Sequence, residues 1–230
     1  MSTTSTKTTA AIAGIAQLRS TSNKLDNLGA VAECARLAKE QGVSMLFLPE
    51  CFGFIGESSD QTLKEAESSL AFDENAVVDG RSGTDSKVKN HESITKYLKN
   101  ACSRENPPLP DVVINQHKKN SLNISILDGL RTIAKESGIW ISGGGMHVLG
   151  APPDEETGNQ RVYNTHVILD NYGKVQAIYR KVHLFDVSIP GKVSLRESAT
   201  TAPGKELVVC NSPIGKKERI KATVNLSFFL

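Results

Sequence analysis

The first fifty residues carry the pattern that most narrows the fold. Ala11 to Gln17 is a short apolar run, and Leu25, Leu28, Val31, Ala32, Ala35 and Ala38 then recur at helical spacing up to Gly42. Val43 to Leu48 follows as a compact apolar run without alternation, which is how a strand buried on both faces reads. Strand, helix, strand is a βαβ unit, and a right-handed crossover lays its two strands parallel in one sheet. Glu50 then stands just beyond the carboxyl end of the second strand, where α/β sheets tend to hold their functional groups.

The rest of the chain extends that unit. Ile126, Leu127, Leu130, Ile133 and Ala134 restore the helical period, Gly138 caps it, and Ile139 to Ser142 starts a strand that runs into Gly143, Gly144 and Gly145. These glycines miss the GxGxxG spacing at its last position and read as permitting close packing rather than as a dinucleotide loop. Val162 to Asp170 and Val175 to Lys181 read as strands joined by a turn at Asn171 to Lys174, which brings Lys181 to a strand end. A last strand pair is expected at Glu206 to Cys210 and Ile220 to Leu226. From about residue 72 to 120 the texture is polar and broken by Gly80, Gly83, Pro107, Pro108 and Pro110. That stretch reads as a surface insertion with one short helix around Ser93 to Cys102.

Composition excludes several classes. Lysine and arginine number 27 against 25 acidic residues among 230, a net charge of +2 that gives no electrostatic reason to expect nucleic acid or an anionic membrane as partner. A hydrophobic share of 39% is ample for one core. No apolar stretch approaches the roughly 20 residues needed to cross a bilayer as a helix. Cys34, Cys51, Cys102 and Cys210 form no CxxC pair, and no histidine stands at metal-ligand spacing. A disulfide scaffold and a structural zinc are set aside, and the four thiols are expected to be buried or inert. Absence of a GxSxG elbow removes the main support for a serine hydrolase. Residues 1–10 read as a disordered tail on a cytoplasmic protein, with a mitochondrial location left open.

Two segments stand out for chemistry. In Phe47-Leu48-Pro49-Glu50-Cys51-Phe52 a carboxylate at a buried strand end is bracketed by proline and aromatics, surroundings that suit a working base. In Tyr179-Arg180-Lys181-Val182-His183-Leu184-Phe185-Asp186-Val187 charge and aromatic residues alternate at a strand end before Pro190-Gly191. Taken singly, a glutamate or lysine at a strand end is more often a solvated cap or ion-pair partner.

Together, and in this order and separation, the two segments resemble the glutamate and lysine motifs of the nitrilase, or carbon–nitrogen hydrolase, superfamily. Within it, FLPECFGFIGES, GGGMH, VYNTHVILDNYGKVQAIYRKVHLFDVSIPG and the later RES…PG are most similar to the branch of deaminated glutathione amidases, with omega-amidases second. The resemblance covers about residues 11–70 and 122–224. It implies an α-β-β-α sandwich of two sheets between helical layers, and hydrolysis of a linear amide such as deaminated glutathione by a Glu-Lys-Cys mechanism. Glu50 would be the general base, Lys181 the cation that stabilises the oxyanion, and Glu197 a second glutamate that helps hold the site. No metal, nucleotide or flavin is implied, since Glu, Lys and Cys complete the chemistry, and a homodimer is the family's assembly.

One position departs from that pattern. The family sets its nucleophile in a strand of the type I-G-L-A-V-C-Y-D, and the matching stretch is Ile220 to Ser227, with Asn225 at the cysteine position. An amide side chain supplies no thiolate, so covalent catalysis is expected to fail there. Cys51 is discounted as a substitute because neighbours on an extended strand point to opposite faces. The fold is expected to be incomplete at its C-terminus, a truncated form whose apolar Val224, Leu226, Phe228 and Phe229 favour aggregation or association. Three readings follow: an amidase by descent, a non-catalytic acyl-pocket or regulatory chain that pairs with an intact homologue, and an unstable remnant.

Overall fold

The computed structural model describes residues 11–68, 85–103, 124–191 and 193–214. The βαβ unit forms where the periodicity puts it: β1 (Ile12–Ile15) and β2 (Val43–Phe47) pair in parallel on either side of α1 (Lys24–Glu40). Asn23 starts α1 by accepting a hydrogen bond from Asp26 N at 3.0 Å, and Leu25, Leu28, Val31, Ala32, Ala35 and Ala38 all face the core. In β2, Met45 and Leu46 are buried and the residues around them half-buried. A short α2 (Ser59–Glu65) and a long α3 (Asp85–Cys102) precede α4 (Ile126–Ser137), which Gly138 ends in the left-handed conformation at φ 71°.

β3 (Trp140–Val148) joins β2 in parallel, and β4 (Val162–Leu169) and β5 (Val175–Arg180) continue antiparallel as a hairpin turned at Gly173, φ 78°. A separate hairpin of β6 (Asp186–Ile189) and β7 (Val193–Arg196) follows, then a 3-10 turn at Glu197–Ala199 and β8 (Thr201–Ala202), which pairs in parallel with β4. The main sheet thus runs β1-β2-β3-β4-β5 with β8 beside β4. Helices α1, α3 and α4 pack together on one of its faces, sharing a core with Leu46, Ile141, Val167 and Leu169. One helical layer on one sheet is half of an α-β-β-α sandwich, and the fold class expected from the sequence is the one observed.

Three local expectations change. The β6–β7 hairpin and β8 are runs of only four and two residues, too short for their apolar residues to register as strands in the sequence, and they show as strands through their ladders. Glu206 to Cys210 is irregular, because it has no neighbouring strand to pair with among the described residues. The strand expected beside it at Ile220 to Leu226 lies outside them, as do residues 1–10 and the apolar terminus. The short helix expected at Ser93 to Cys102 is also longer, and it is not a surface feature. Ile94, Leu98, Ala101 and Cys102 are buried against α1 and α4, and four apolar residues on one face suffice where the other face is charged.

A polar cluster around the buried Lys24 ammonium ties these helices to the end of β3. Lys24 Nζ donates to Glu65 O at 2.6 Å, pairs with the partly exposed Glu65 carboxylate at 3.2 Å and lies 3.9 Å from the buried Glu67 carboxylate. Glu67 accepts from Ile126 N at 3.0 Å and Ser125 Oγ at 2.9 Å, capping α4, while its own N donates to His147 O at 2.8 Å. The burial of α3 is directly testable. Leu98 is fully buried, so Leu98→Ala should lower the unfolding free energy in urea by about 2–5 kcal/mol, whereas a residue on a surface insertion would change it by no more than about 0.5 kcal/mol.

Candidate active site

Glu50 is delivered by a turn that only glycines on β3 permit. Leu48 N still donates to Ser142 O at 2.9 Å, as if β2 continued, and Cys51 N then donates to Gly145 O at 2.9 Å, folding Pro49-Glu50 down onto β3. A Cβ on Gly144 would lie 1.9 Å from the Pro49 carbonyl oxygen, and one on Gly145 would lie 2.0 Å from Asn164 Oδ1. The glycine run is therefore a packing device, as its spacing suggests, and the object packed is the loop that carries Glu50. Cys51 completes the turn at φ 54°, a conformation costly for any residue with a side chain and held here by the surrounding ladder.

Lys181 follows the last residue of β5 and is fixed from both sides by its backbone. Its N donates to Asn164 O and its carbonyl accepts from Gly204 N, both at 2.8 Å. A Cβ on Gly204 would lie 2.2 Å from Arg180 O, so the Pro203-Gly204 turn also needs its glycine. The Lys181 ammonium lies 3.0 Å from Glu50 Oε1 and 2.9 Å from Glu197 Oε2. Glu197 stands in the 3-10 turn after β7 and also accepts from Phe185 N at 2.7 Å, which closes the base of the β6–β7 hairpin. The structure thus brings together Glu50, Lys181 and Glu197 from three distant parts of the chain. Asn225, at the fourth position singled out, lies outside the described residues.

Burial alone would push the Lys181 ammonium below the ordinary lysine value of 10.5, but hydrogen bonds to Glu197 and Glu50 outweigh it and the net direction is upward. The lysine is a held cation, not a neutral base. Burying charge is costly, and here the cost is offset by two carboxylates at hydrogen-bond distance.

Sequence reasoning missed three neighbours. Asn164, buried on β4, donates through Nδ2 to Glu50 Oε1 at 2.5 Å and reaches Glu197 Oε1 at 3.4 Å. A poor strand former inside an otherwise strand-like run was the available signal. His147 lies opposite Asn164 in the β3–β4 register, where burial lowers its pKa against the pull of Glu197 and Glu50. His166, two residues beyond Asn164 on the same face, meets Ser142 Oγ at 2.8 Å through Nε2 and has no partner for Nδ1 among the described residues.

Cys51 is not the extended neighbour that the sequence suggested, since its backbone is left-handed. It is discounted for a different reason. Burial first, then the charges of Glu50 and Glu197, push its thiol up to about 12, so no useful thiolate exists near neutral pH. Burial likewise raises Cys34, Cys102 and Cys210. A carboxylate, an ammonium and a second carboxylate arranged in this way can accept a proton and stabilise a nearby oxyanion, but contain no nucleophile of their own.

The carbon–nitrogen hydrolase family matches residues 9–225. Deaminated glutathione amidase of Dictyostelium discoideum is 33% identical over 88% of this chain and 52% of its own length, and that of Mus musculus 31% over 89% and 46%. The chain therefore spans about half the length of the curated relatives it matches. Among solved structures it is similar to the C. elegans NitFhit protein, with TM-score 0.53 and 25% identity over 90% of this chain and 37% of that one. It also shares a fold with Saccharomyces cerevisiae Nit3, with TM-score 0.50 and 22% identity over 88% of this chain and 52% of that one.

The buried imidazole near the site makes stability acid-sensitive. Burial lowers the His166 pKa to about 4 from 6.5, so the unfolded chain takes up a proton first as pH falls. Stability should be unaffected by this residue above 6.5 and fall between 6.5 and about 4, by on the order of 3 kcal/mol. Urea unfolding at several pH values should show that loss in the unsubstituted protein and a smaller one in His166→Gln.

Proposed function

This chain belongs to the carbon–nitrogen hydrolase family, and from that membership we propose that it carries the general-base and oxyanion half of an amidase site. The observation behind the reading is the Lys181 ammonium held between Glu50 and Glu197. In this reading Glu50 takes the proton of the attacking nucleophile, Lys181 stabilises the oxyanion of the tetrahedral intermediate, and Glu197 holds Lys181 in place. The full cycle is a covalent one. A thiolate attacks the amide carbonyl, ammonia or an amine departs with a proton, and water then hydrolyses the thioester. A linear amide of a small carboxylic acid, of which deaminated glutathione is the example, is the substrate class that the resemblance to the Dictyostelium and mouse amidases supports.

Asn225 stands where that cycle needs its thiol. This favours a second reading for the chain as it is written: a non-catalytic acyl-pocket protein that retains the base and the cation. Calorimetric titration with deaminated glutathione, run beside an ammonia assay, tests both. Saturable binding without ammonia release is expected, weakened at least roughly tenfold by Lys181→Met or Glu50→Gln, equivalent to about 1.4 kcal/mol. Absence of binding by the folded protein, or ammonia release that survives both substitutions, would overturn the assignment of these residues.

A further inference from the structure

Asn164 touches every member of the cluster. Its carbonyl accepts from Lys181 N at 2.8 Å, and its Nδ2 donates to Glu50 Oε1 at 2.5 Å and approaches Glu197 Oε1 at 3.4 Å. It is almost wholly buried, and a buried amide so placed can neither turn freely nor find water as an alternative partner. On the far side Gly145 leaves it room that no other residue would. Glu50 Oε1 thus accepts twice, from Asn164 Nδ2 and Lys181 Nζ, while Glu50 Oε2 accepts from nothing among the described residues.

We propose that Asn164 is the positioning residue of this site: it fixes the plane of the Glu50 carboxylate through its bonded oxygen and couples it to Glu197, leaving the other oxygen position open to take a proton. The proposal rests on the reading of Glu50 as the base and adds what holds that base in its orientation. A carboxylate bound only to Lys181 could swing about its last torsion, which is broad and roughly two-fold. A second donor at the same oxygen position narrows that swing. Glu197, held by Phe185 N and Lys181, supplies the fixed point against which the amide is aligned.

The test reads the two carboxylates directly, without ligand or turnover. Carboxyl 13C resonances of Glu50 and Glu197 are assigned at pH 8 through Glu50→Gln and Glu197→Gln, then compared in Asn164→Leu, which stays close to the size and removes the donor without adding a charge. Both resonances should shift together in Asn164→Leu, with the fold retained by near-UV circular dichroism. Gly145→Ala supplies a second route, because its new methyl must displace the Asn164 side chain while leaving its chemistry intact. It should move the same two resonances, including where Asn164→Leu does not fold. If neither variant moves the Glu50 resonance, or Glu50 and Glu197 respond independently, the positioning role is wrong. Loss of ligand binding with the coupled shifts intact would refute the amidase reading and leave this role standing.

Discussion

One ammonium between two carboxylates is the interaction on which the rest of the described structure depends. Lys181 comes from the end of β5, Glu50 from the turn after β2 and Glu197 from the turn after β7. Each is charged or polar in a place from which water is largely excluded, and each would be costly to bury alone. They are tolerable only as a set. That requirement explains features that look unrelated in sequence: glycines at 144, 145 and 204 that admit close backbone approach, a left-handed Cys51, and an asparagine inside a strand.

The helical layer serves the same end less directly. Glu67 caps α4 through its carboxylate and holds the end of β3 through its backbone, so the loop that leaves the Glu50 turn is fastened before the chain enters α3. The sheet in turn fixes where three loops can meet. Parallel β1, β2 and β3 put the Glu50 turn at one sheet end, and the β4–β5 hairpin returns Lys181 to that end.

Much of this was legible from residue order. Periodicity located α1, β2, α4 and the β4–β5 hairpin, because each buries a face wide enough to leave a repeat in the sequence. Glu50 and Lys181 were found as polar residues at the ends of apolar runs, and Glu197 through resemblance. The β6–β7 hairpin escaped notice because each strand is only four residues long, too short for the alternation of Val187, Ile189, Val193 and Leu195 to stand out. Asn164, His147 and His166 were invisible as a group, since their meaning comes from cross-strand register and close approach rather than from spacing along the chain. Helix α3 was underestimated for a related reason: its few apolar residues make a weak average, but Ile94, Leu98, Ala101 and Cys102 together make a sufficient face.

The central claim is that Lys181 is a cation maintained by its two glutamates despite burial. Titration of its side chain by NMR, with 13C at Cε and assignment by Lys181→Met, measures this directly. The account predicts a midpoint above the ordinary lysine value of 10.5, together with stability that is present below 10.5 and lost as pH rises through that higher midpoint. A midpoint at or below the ordinary value would mean that desolvation prevails over the carboxylates, and would contradict the claim that they maintain the charge.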